Sequence, residues 1–175
     1  MLVAWSMLCA TGCALPPRGA LYRAVVAPGP QATAVPSGAS VAQYYAVSAF
    51  RVADELASAS NAVDQGLADR AQGEISDAYL ALIAHRSAVT AQHALNDADQ
   101  LAAPPGMQAD ADSFFTAAVS LADAVDATQQ ALDAPGGTNT AQLITATQQR
   151  QKAARALEAS LNTLLAAGWG PKASR

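Results

Sequence analysis

Residues 40–67 read Ser-Val-Ala-Gln-Tyr-Tyr-Ala-Val-Ser-Ala-Phe-Arg-Val-Ala-Asp-Glu-Leu-Ala-Ser-Ala-Ser-Asn-Ala-Val-Asp-Gln-Gly-Leu. Val41, Tyr45, Ser48, Val52, Leu56, Ala59, Val63 and Leu67 recur at steps of three and four, the spacing of one face of an α-helix. Ser40-Val-Ala-Gln43 has the form of a capping box, in which the serine oxygen takes an early helix N–H and the glutamine reaches back to the cap. Gly66 and Gly73 predict a break between them, and Asp69-Arg-Ala-Gln72 offers a second box. The same period continues downstream. Ile75, Tyr79, Leu82, Ile83, Val89 and His93 form a broad stripe on a second helix, from about Glu74 to Leu101. Ala103-Pro104-Pro105-Gly106 ends it. Phe114, Ala118, Leu121, Val125, Thr128 and Leu132 mark a third helix, from about Gln108 to Asp133, stopped by Ala134-Pro135-Gly136-Gly137. Asn139-Thr-Ala-Gln142 starts a fourth, with Leu143, Thr147, Arg150, Ala154, Leu157, Leu161 and Leu164 on one face and Gly168 as its stop.

Four long helices with short connections predict an all-α, up-down-up-down antiparallel four-helix bundle over residues 40–168. Its core is thin. About 30 side chains larger than alanine are apolar across that span, whereas the whole chain of 175 residues holds 45 alanines. Alanine loses no side-chain entropy in a helix and lets helix axes approach closely. Close packing, modest stability and some self-association along alanine faces are the expected consequences.

Composition excludes several classes. The net charge is −4, and no clustered positive face of a nucleic-acid module is present. No uninterrupted apolar run reaches the ~18 residues of a membrane span. All 14 acids lie between residues 54 and 158, inside the span 40–168 that holds only six of the ten bases. The third helix carries aspartates and no base, while the fourth carries Arg150, Lys152 and Arg155, a bias suited to adjacent antiparallel packing.

Residues 1–12 are apolar or small and uncharged, like a signal-peptide core ahead of a small-residue cleavage site. Ala10-Thr11-Gly12-Cys13 resembles the lipobox of bacterial lipoproteins. That resemblance covers about 20 residues at one end and implies acylation of Cys13 and removal of residues 1–12. It implies nothing about the helical domain. No Lys or Arg precedes Cys13, a departure from the usual positive start, so a translation start upstream of Met1 is expected. Residues 13–39 then form an anchor cysteine and a linker with Pro16, Pro17, Pro28, Pro30 and Pro36. A disordered, extended tether is expected there, able to reach ~85 Å at full stretch. Residues 169–175 are a C-terminal tail. The resemblance implies a membrane-anchored protein of the cell envelope with a periplasmic or surface-exposed domain. In a Gram-negative host, Ala14 after the cysteine points to the outer membrane.

Catalytic chemistry is hard to assemble from what remains. With Cys13 acylated and Cys9 removed, the mature domain has no thiol nucleophile or sulfur ligand. The two histidines, His85 and His93, are eight residues apart, too far along a helix to share a metal. There are three glutamates and no Glu-x-x-His, which excludes a di-iron carboxylate bundle. No haem attachment motif, nucleophile elbow or phosphate loop occurs. The chain is expected to be non-enzymatic and to need no cofactor.

Two clusters are candidate sites. Tyr44-Tyr45 and Phe114-Phe115 are adjacent aromatic pairs. Neighbours on a helix diverge by ~100°, so one of each pair faces inward and the other lies at a rim that could contact a partner. Asp97 and Asp99 close the second helix and Asp110 and Asp112 open the third. The hairpin brings all four to one end, where oxygen ligands could take a divalent cation, although residues two apart cannot both face one ion. The leading expectation is a lipid-anchored interaction module that docks on an envelope protein. The alternative is a periplasmic bundle that binds a divalent cation or a small apolar molecule.

Overall fold

The computed structural model describes residues 41–135 and 138–168. The signal-like segment, Cys9, Cys13, the Pro-rich linker, the Ser40 cap and Trp169 lie outside the described residues. The described chain is all-α, with no strand. Its helices are α1 (Val41–Ala71), α2 (Asp77–Asp99), α3 (Gln108–Leu132) and α4 (Thr140–Ala166).

Each helix packs on the next in sequence, and α1 also touches α3 and α4. Two ion pairs set the direction of the first two helices. Arg51, early in α1, donates to Asp97, late in α2, at 2.9 Å. Arg70, late in α1, donates to Asp77, the first residue of α2, at 2.5 Å. The two helices therefore run in opposite directions. Between α2 and α3, the Gln129 amide donates to His85 Nδ1 at 3.1 Å. Across the last connection, the Asn139 N–H donates to the Ala131 carbonyl at 2.8 Å.

The helix ends obey local chemistry. Asn139 caps α4 as its sequence predicts, its side-chain oxygen accepting from the Gln142 N–H at 3.1 Å. In the first connection, α1 ends at Ala71, between Gly66 and Gly73 as expected, but Asp69-Arg-Ala-Gln72 opens no helix. A Schellman motif terminates α1: the Glu74 N–H donates to the Asp69 carbonyl at 2.9 Å and the Gly73 N–H to the Arg70 carbonyl at 3.0 Å. Gly73 takes φ +76°, which a side chain would resist. Ser76 is the true cap of α2, its hydroxyl accepting from the Tyr79 N–H at 3.2 Å. Gly66 serves packing. A Cβ there would lie 3.0 Å from Leu80 Cδ1 and 3.2 Å from Ile83 Cδ1, so its absence lets α2 sit close against α1.

More than half of the buried apolar residues are alanines, as the composition implies. The larger core members are Val52, Leu56, Val63, Leu80, Phe114, Leu121, Val125, Leu157, Leu161 and Leu164. The α1 and α3 faces read from the sequence are largely the buried ones. The α2 stripe is not. That helix buries Leu80, Ala84, Ser87, Ala91, Ala94 and Ala98, and leaves Tyr79, Leu82 and Val89 exposed. Side-chain size misled the reading, because beyond Leu80 and Ile83, which fill the space left by Gly66, the inner face is small, and Tyr79, Leu82 and Val89 lie on the outer side.

Among the described residues, Arg150 is the one charged residue buried in the core, with 0% exposure. Its guanidinium donates to Thr128 Oγ1 on α3 at 2.8 Å and to the Asp64 carboxylate on α1. Thr128 in turn donates to the Ala124 carbonyl at 2.9 Å. Arg150 Nε has no hydrogen-bond partner. Removing one member of a buried pair strands the other, whereas replacing the buried charge with an apolar side chain avoids its desolvation cost. Asp64 is 47% exposed and stays hydrated without its partner, while Arg150 cannot. Asp64→Ala is therefore expected to cost about 3 kcal/mol and Arg150→Met less than about 1 kcal/mol in urea unfolding. The reverse order would show that the pair is not what holds the guanidinium inside.

Candidate functional site

The start of α1 and the end of α2 frame an open cleft of about 400 Å³. Val41, Tyr44, Tyr45 and Leu101 supply apolar lining, and Arg51 and Asp97 close one side. The sequence-derived residues Tyr44, Tyr45 and Asp97 meet here because α2 returns antiparallel to the point where α1 begins. Arg51 is the organising group. It donates to Asp97 at 2.9 Å and to Glu55, one turn on, at 3.1 Å. The hydrogen bond to Asp97 is the main reason its guanidinium is held more firmly protonated than usual. These groups are half-exposed, so the pair adds little stability; its consequence is to commit the Asp97 carboxylate to Arg51.

The aromatic pairs divide as helical geometry requires. Tyr44 is 50% exposed at the cleft rim and Tyr45 is buried. Phe114 is fully inside the core, and Phe115 packs on the core's edge, partly buried. Phe114 is closed off inside the core, while the buried Tyr45 meets the outside only where it lines the cleft. Tyr44 remains as the accessible aromatic of that set.

The aspartate cluster is brought to one end, but not into a cage. Asp97 faces Arg51, and Asp110 and Asp112 are near enough to Tyr45 to repel its phenolate. Asp99 and Asp112 are exposed. Among the described residues no group of three His, Cys, Asp or Glu side chains is placed to hold a metal ion. His85 is in contact with Gln129, and His93 is exposed on the outside of α2. Cys13 lies outside the described residues.

Sequence reasoning missed two features here. Leu101 enters the cleft from beyond the end of α2, with no periodic signal to mark it. The Arg51–Asp97 pair joins residues 46 apart in sequence, and only the antiparallel register reveals it.

Burial, and after it the charges of Asp112 and Asp110, push the Tyr45 hydroxyl above its ordinary pKa. The folded state thus disfavours the phenolate more than the unfolded chain does. That contribution is complete below the unfolded value, about pH 10, and is lost as pH rises through the folded one. Urea midpoints measured between about pH 9 and pH 11 are expected to fall for the wild type, and Tyr45→Phe is expected to flatten part of that fall. An identical slope in both proteins would assign the alkaline loss elsewhere.

Comparison with known proteins finds no family model that matches the chain, and no match among curated proteins or solved structures.

Proposed function

We propose that the chain is a lipid-anchored, non-enzymatic interaction module of the bacterial cell envelope. The lipobox-like run Ala10-Thr11-Gly12-Cys13 supports the anchor, and the Pro-rich residues 14–39 support a tether that holds the helical domain away from the membrane. The observation that carries the interaction reading is the distribution of large apolar side chains. Val41, Tyr44 and Val47 on α1, and Tyr79, Leu82 and Val89 on α2, are exposed although much of the core is filled with alanine. Within each helix these residues recur at helical spacing, and such exposed apolar stripes favour a partner that covers them. In this reading the tether sets the reach and the helical surface selects the envelope protein that it meets.

The cleft beside Tyr44 favours a second reading, a periplasmic domain that takes a small apolar ligand. Its volume is about 400 Å³, within the range of small-molecule sites. A melting temperature that rises with added fatty acid or detergent monomer would support that reading over docking alone.

The anchor is tested by mass spectrometry of the mature N-terminal peptide from host membranes, with Cys13→Ala as control. An acylated peptide beginning at Cys13, absent from the control, is expected. An unmodified chain beginning at Met1 in the soluble fraction would overturn the envelope address.

A further inference from the structure

The outer side of α2 carries a pattern unrelated to the cleft. Tyr79, Leu82, Arg86, Val89 and His93 fall at steps of three and four and are all exposed. They form one seam, roughly opposite the buried face of Leu80, Ala84, Ser87, Ala91, Ala94 and Ala98. From Tyr79 to His93 the seam is ~21 Å long, four helical turns, and one side chain wide. Steps of three and four with apolar residues are what a helix presents to another helix.

The charge around the seam is as informative as its apolar content. Fourteen acids are spread over residues 54–158, yet none lies between Asp77 and Asp97. Those two flanking carboxylates are already taken by Arg70 and Arg51. Arg86, in the middle of the seam, has no ion pair among the described residues, in contrast to Arg51, Arg70 and Arg150. The seam is thus an acid-free, locally basic apolar strip on an acidic molecule.

We propose that this face of α2 is a docking site for an amphipathic helix of a partner protein whose apolar stripe is edged with carboxylates. Arg86 pairs with a partner carboxylate while Tyr79, Leu82 and Val89 pack between the partner's apolar side chains. A second copy of this chain fits poorly. Two such seams paired about their centre oppose Arg86 to Arg86, a like-charge contact that selects against self-pairing. A bilayer fits poorly as well, because a strip one side chain wide offers little area to bury in an interface. The inference rests on the interaction-module reading but not on the acyl anchor.

The test uses the full chain and two fluorescent helical peptides of about 18 residues, about five turns, with leucines at heptad spacing flanked by either glutamate or lysine. Anisotropy titrations at low salt are expected to show the glutamate peptide binding about tenfold more tightly than the lysine peptide, a difference reduced at about 0.5 M salt. Leu82→Ser is expected to weaken glutamate-peptide binding about tenfold, and Arg86→Glu to reverse the charge preference. Both positions are exposed, and circular dichroism checks that the variants stay folded. Tyr44→Ser, at the cleft, is expected to change nothing. Equal binding of the two peptides, or none, overturns the proposal. So does binding to phosphatidylglycerol-containing vesicles, or dimerisation in sedimentation, that Leu82→Ser abolishes. Loss of the anchor with retained peptide discrimination would overturn the envelope address and leave this site standing.

Discussion

A guanidinium with no exposed surface needs partners in one arrangement only, and Arg150 finds its partners on two other helices. Thr128 comes from α3 and Asp64 from α1, so three of the four helices converge on one side chain. The rest of the interior cannot supply comparable direction. Its alanine faces are small and alike, and sliding one past another changes little apolar contact. Hydrogen bonds to a buried charge do not tolerate such a slide, because every displaced partner leaves a charge without solvent. The register of the alanine-rich helices therefore depends on this polar junction more than on interlocking shapes.

Close approach is the second constraint, and it explains where the large side chains went. With Gly66 facing Leu80 and Ile83, α1 and α2 lie near enough that the inner face of α2 consists mainly of alanines and one serine. The bulkier Tyr79, Leu82 and Val89 then remain on the outside. A thin core and an apolar exterior are two results of the same spacing. The exterior seam is available for association because the interior did not need it.

The ends of the molecule are arranged by charge. Arg51 with Asp97 and Arg70 with Asp77 clip the two ends of the α1–α2 pair. Their exposure limits what they add to stability, but each opposes a slip of one helix along the other. The pair at the open end also shapes the cleft, because it holds Asp97 beside Tyr44 and Tyr45 rather than free among the other aspartates. The same clips consume the acids that flank the outer α2 seam, which leaves Arg86 as its dominant charge.

The sequence by itself determined the helices, their number and several of their ends. These follow from local rules: period, cap residues, and the Pro and Gly stops that act within a turn or two of where they stand. The Asn139 cap and the Phe114–Val125 face were legible for that reason. So was the division of Tyr44 from Tyr45, which needs only the 100° step of a helix. Tertiary structure alone decided which face of α2 is inside, because burial there is governed by distance to α1 and not by hydrophobicity. It also decided that Gly66 is a point of close contact between α1 and α2. It decided that Arg150, which the period places on the apolar face of α4, is wholly buried there as the junction of three helices. Partners 22 and 86 residues away made that placement possible, and no local pattern encodes them.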